Sequence, residues 1–136
     1  MPDGASMTKL LTLALILAGI PHQRGWASQY SANMMKPTIV ARIDMGHITH
    51  KQVKMADVYV AVVDCSRLGE MGFISINGAS PEVYLVADCA RRDDGDGTRS
   101  WMEQNNIIVE INHAAAVRHG VEGEGGVRAL MWEGVK

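Results

Sequence analysis

The chain has no run of basic residues. Its 13 Lys and Arg are interspersed with 15 Asp and Glu, for a net charge of −2 over 136 residues. That leaves no electrostatic footprint for nucleic acid and no basic amphipathic helix for a membrane surface. Cysteine is scarce: there are two, and neither belongs to a Cys-x-x-Cys unit, which argues against zinc held by the pair. There is no Gly-x-Ser-x-Gly, no Walker loop and no glycine-rich dinucleotide fingerprint after a strand. No low-complexity segment or linker calls for a second domain. The longest apolar run, Leu10 to Ile20, is about half of what a bilayer-spanning helix needs.

That run has a different meaning. Lys9 precedes it, and Pro21 and a polar stretch ending Gly25-Trp26-Ala27 follow it. This is the order of a secretory leader: a basic start, an apolar centre and a small-x-small end. The expected division is a signal peptide over 1–27 and a domain over 28–136. Met7 is an alternative start. A buried core helix is the competing reading, but it would lack a polar face. No lipid-attachment cysteine follows the run, so the expected product is secreted or extracytoplasmic and not anchored.

What the chain does have is one phrase stated twice. Val58-Tyr-Val-Ala-Val-Val-Asp64-Cys65 returns, shortened, as Val83-Tyr-Leu-Val-Ala-Asp88-Cys89. Each is an apolar, β-branched run that ends in Asp-Cys and soon reaches an arginine, Arg67 or Arg91. Runs that are apolar on both faces predict central or barrel strands. Phe73–Ile76 and Ile107–Ile111 predict further strands, the latter with Ile107, Val109 and Ile111 on one face and Ile108 and Glu110 on the other. Asn77-Gly78 is a hairpin signal, and Val127–Trp132 is the last strand. Pro37 to Asp44 predicts a short helix with Ile39, Val40 and Ile43 on one face, and 46–55 a loop. Asn112 can cap a second helix that Gly120 ends. Short strands without a βαβ rhythm predict a small closed barrel with a helical insertion.

In an exported chain Cys65 and Cys89 are expected to pair, which would close a loop worth about 3 kcal/mol in the chain-entropy model. Two buried unbonded thiols are the alternative.

The segment Val83-Tyr-Leu-Val-Ala-Asp88, a Gly-containing loop, then Ile107-Ile-Val-Glu110-Ile-Asn112-His-Ala-Ala-Ala-Val-Arg-His-Gly120 resembles the core of secreted double-psi β-barrels. These include the rare lipoprotein A type, expansin-like and barwin-like domains, and membrane-bound lytic transglycosylase A. The likeness is best over residues 56–120. It implies a mainly β fold, a six-stranded double-psi barrel with one or two short helices. It places Asp88 at the family's strand-end Asp and Glu110 at the acid of Ile-Asp-Leu-Ser, catalytic in the glycan-cleaving members. The chain departs from the pattern: Glu stands for Asp at 110, Asn for Ser at 112, and Cys89-Ala-Arg-Arg92 where Arg-Gly-Pro-Phe is usual.

The resemblance implies an exported protein that binds or loosens polysaccharide, peptidoglycan included. The alternative it implies is a lytic-transglycosylase or glycosidase-type enzyme with Glu110 as acid/base and Asp88 assisting. Such an acid needs a raised pKa, from burial or a like charge. A disulfide-stapled structural or inhibitor-like protein that shares only the fold is the third reading. Tyr59, Tyr84 and Trp101 are candidates to stack on sugar faces, with Trp101 in a polar loop the foremost. For Asp88 and Glu110 a structural role competes evenly with catalysis, and for Asp64 it prevails. Arg92 to Glu103 scans imperfectly as a calcium loop, with Arg92 where a carboxylate ligand belongs. His47-x-x-His50 and the His113/His119 pair lack a third ligand at zinc spacing. No metal or other cofactor is expected.

Overall fold

A computed structural model describes residues 21–90, 97–122 and 126–136. The apolar centre of the expected leader, Arg91 and the first five residues of the imperfect calcium loop lie outside the described residues. Six strands close into a barrel: β1 (Gln23–Gln29), β2 (Val58–Val62), β3 (Met71–Ile76), β4 (Glu82–Cys89), β5 (Ile107–Ile111) and β6 (Val127–Met131). Their order around the barrel is β1-β5-β2-β4-β3-β6. Among the described residues four short α-helices decorate it: α1 (Met35–Asp44), α2 (His50–Met55), α3 (Thr98–Gln104) and α4 (His113–Arg118). The closed six-stranded barrel is the expected one, and its topology is compatible with a double-psi arrangement. Closure leaves no open sheet edge, the usual liability of a small β fold.

The repeated phrase has a direct structural meaning. Its copies are β2 and β4, which lie side by side and parallel, with Val58 opposite Tyr84 and Val62 opposite Cys89. Their apolar character follows from position: Val58, Val60 and Val62 join Tyr84, Val86, Val109 and Ile111 inside the barrel. β3 and β4 form the expected hairpin. Asn77 and Gly78 both take positive φ, 54° and 75°, as the tight turn requires.

Both parallel pairs carry a bulge. Val60 faces Val86 but Ala61 faces Asp88, so Ala87 is an extra residue in β4. Trp26 faces Ile107 but Ala27 faces Val109, so Ile108 is an extra residue in β5. A bulge re-aims the side chains beyond it. The alternation expected of β5 is broken for this reason. Ile108 joins Val109 and Ile111 in the barrel core, and Ile107 packs with Ala90 and Met102 instead.

Four elements depart from expectation. The stretch 46–55 is not all loop, because Thr49 and Gln52 form a reciprocal capping box that starts α2. Trp101 stands on α3, not in a loop. The expected domain start at Ser28 falls inside β1. Gln23–Ala27 pair with β6 along their length, and Ala27 is wholly buried in the core. On α1, Ile39 and Ile43 pack against Leu85 and Ala87, while Val40 turns outward, 54% exposed.

Candidate functional site

Cys65 and Cys89 are bonded, with 5.0 Å between their Cα atoms. The bond ties the turn after β2 to the last residue of β4, directly beyond Asp88. Asp64 is a local cap: its Oδ1 accepts from the Ser66 N–H at 2.9 Å. The Ser66 bonds hold its carboxyl below the usual range. Its counterpart Asp88 is placed differently, because the Ala87 bulge intervenes.

Asp88 and Glu110 flank one residue. Ala61 on β2 is the register partner of Asp88 on one side and of Glu110 on the other. Two strand spacings separate their Cα atoms, roughly 9–10 Å. Both line a concavity of about 220 Å³ with Ala61 among its walls, together with Tyr30, Ser31, Cys89 and Thr98. The pair expected from the sequence is therefore brought to one site.

Asp88 is already engaged. Arg42 on α1 donates from Nη2 to Oδ1 at 2.8 Å, and Tyr30 donates its hydroxyl to Oδ2 at 2.7 Å. The Arg42 side chain is 8% exposed and that of Asp88 21%. A buried guanidinium needs such a partner, since burying it unpaired would cost several kcal/mol. Arg42 Nη1 also donates to Nδ1 of His47 at 3.1 Å. Tyr30 meets Thr38 as well, at 3.2 Å between hydroxyls. Burial, with the neighbouring Asp88 and Glu110 charges, pushes the Tyr30 phenol up to about 12.

Tyr30 and Arg42 were not singled out from the sequence. Tyr30 lies in a polar, Met-rich stretch just after the expected leader. Arg42 carried a signal: three residues after Ile39 and one before Ile43, it falls on the face of α1 that packs inward.

The other expected residues lie elsewhere. Tyr84 is fully enclosed in the barrel, and its hydroxyl donates to Glu70, with Trp132 O at 3.2 Å. Gly72 permits this: a Cβ there would lie 2.8 Å from the Tyr84 hydroxyl. Burial and the Glu70 contact raise the Tyr84 phenol well above its ordinary value. Tyr59 donates to the Val53 carbonyl at 2.8 Å and packs under α2. Trp101 is 43% exposed but is not among the residues lining the concavity. Asn112, instead of capping α4 with its side chain, accepts the Tyr59 N–H at 3.0 Å. Among the described residues, no three or more His, Cys, Asp or Glu are grouped to hold a metal ion. His119 pairs with Glu82, and His113 meets Gln29 at 2.9 Å. No described helix is long and apolar enough to cross a membrane.

Fold and site together define a class: a small disulfide-stapled, closed β-barrel with a two-carboxylate concavity at its strand ends. The chain matches no family model, no curated protein and no solved structure.

Proposed function

We propose that this is an exported double-psi-type barrel that binds polysaccharide, cell-wall glycan in particular, in the Asp88–Glu110 concavity. The observation that supports it is the shared register partner: Ala61 sets the two carboxylates on either side of one short side chain. A sugar ring laid there meets acceptors on both sides. A carboxylate has about four lone-pair sites, and Arg42 and Tyr30 take two of those on Asp88. The remainder suit ligand hydroxyls. The disulfide fits an oxidising compartment, in keeping with export. We place the start of the mature domain at or before Gln23, because a cut after Ala27 would remove most of β1.

The enzyme reading rests on Glu110. An ion-paired Asp88 is an acceptor and a positioner, which leaves Glu110 as the acid. In a lytic transglycosylase one carboxyl group protonates the leaving oxygen and then takes the proton of the sugar's own hydroxyl, so one acid suffices.

Incubating the protein with insoluble peptidoglycan tests both. Retention on the wall without product supports binding. Anhydro-muropeptides by mass spectrometry, lost in a folded Glu110→Gln variant, support the enzyme. Neither retention nor product leaves only a structural protein that shares the fold.

A further inference from the structure

The outer face of β1 and β6 carries a second cluster. In the antiparallel register Trp26 lies opposite Arg128, and Arg24 opposite Leu130. Arg24, Trp26 and Arg128 are all exposed, Trp26 at 41%. The Arg128 guanidinium sits 5.6 Å from the centre of the Trp26 ring, within reach of a cation–π attraction. The two arginines stand on a cross-strand diagonal, about 7–8 Å apart at Cα. Neither β1 (Gln23–Gln29) nor β6 (Val127–Met131) contains an acidic residue. Among the described residues neither guanidinium is in an ion pair. So an indole and two guanidiniums that have no ion pair among the described residues share a sheet face in a chain whose net charge is −2.

The cluster lies near the concavity. Trp26 is two residues along β1 from Ser28, and Ser28 is the register partner of Glu110.

We infer that Arg24, Trp26 and Arg128 form a subsite for an acidic polysaccharide, the indole stacking on a sugar ring and the guanidiniums holding carboxylates. The inference rests on the glycan reading above and adds the charge of the polymer. An indole presents a flat apolar face suited to a pyranose, and guanidinium forks match carboxylates two bonds at a time. Nucleic acid suits the cluster less. A duplex carries one charge per about 1.7 Å, and only two arginines answer it here, against a net negative chain.

The test is a titration, followed by tryptophan fluorescence at low and physiological salt. The probes are polygalacturonate, its methyl-esterified form and a single-stranded oligonucleotide, and the proteins are the intact chain and Arg24→Gln/Arg128→Gln. Polygalacturonate is expected to bind at least tenfold more tightly than the ester and to lose at least tenfold in the double variant and with added salt. Trp26→Ala is expected to weaken it further and to abolish the quenching. Equal affinity for the ester, unchanged affinity in the double variant, tighter binding of the oligonucleotide or no binding of polygalacturonate would overturn the subsite. The ester keeps the sugar and lacks the charge, and peptidoglycan retention reads the concavity independently, so the two readings fail separately.

Discussion

Arg42 shows how one residue couples the helices to the site. Its guanidinium is enclosed between α1 and β4 and bonded to Asp88 and His47. Removing one partner of a buried pair strands the other, at a cost of about 3 kcal/mol. Arg42→Met should therefore lower stability by about that much in chemical denaturation. Arg42→Met/Asp88→Asn, which removes both charges, should recover much of the loss. All three tyrosines are raised: Tyr30 by burial to about 12, Tyr59 by burial, and Tyr84 by burial with the Glu70 contact. A raised phenol pKa stabilises the fold fully below the ordinary value near 10. That contribution falls away as pH rises through the folded values. An absorbance titration near 295 nm should thus show little tyrosinate at pH 10. A normal three-tyrosine step there would contradict the buried phenols. Glu70 behaves in the opposite sense. Burial pushes it up, but the Arg67 and Tyr84 bonds outweigh this and hold it below the usual range. Its contribution is present above about pH 4.5 and is lost as pH falls through the folded value. Glu70→Gln should accordingly cost stability at pH 7 and progressively less as acid is added.

Among the elements, the strands buried on both faces were the most legible. β2, β4 and β5 read directly from Val58–Val62, Val83–Ala87 and Ile107–Ile111 because the barrel core takes their inner faces, while helices cover outward residues of β4 and β5: Leu85 and Ala87 lie under α1, and Ile107 beside Met102 of α3. β1 was hidden. Gln-Arg-Gly-Trp-Ala-Ser-Gln has one β-favouring side chain, and its partners β5 and β6 lie far along the chain, so tertiary pairing decides it. α2 was legible in principle from Thr49-x-x-Gln52. The bulge at Ala87 was not, and it is what separates the fate of Asp88 from that of Asp64. The sequence placed Asp88 and Glu110 at strand ends. Only the strand order, with β2 between β4 and β5, shows that they share Ala61. The disulfide spans a sequence separation of 24, and in the chain-entropy model it contributes about 3 kcal/mol. The paired Cys65→Ser/Cys89→Ser variant should lose about that much, with the midpoint shift seen in urea. An unchanged midpoint would mean that the bond constrains little.

At the level of the whole molecule, closure depends on β1, which bridges β5 and β6. A chain beginning at Ser28 should lose its cooperative thermal transition, whereas one beginning at Pro21 should keep it. A sharp melt for the shorter chain would show that β1 is dispensable. The barrel also accounts for the placement of function. Its interior is filled by side chains, Tyr84 included, so ligands are left the outer face and the strand ends. There the bulged strands and α1 bring Asp88, Glu110 and Tyr30 to one concavity. The most direct test of that site is a backbone amide NMR titration with soluble peptidoglycan fragments. Shifts concentrated at Tyr30, Ser31, Ala61, Asp88 and Glu110, and abolished by Glu110→Gln, are the expected result. Saturating fragments that leave those amides unmoved would contradict it.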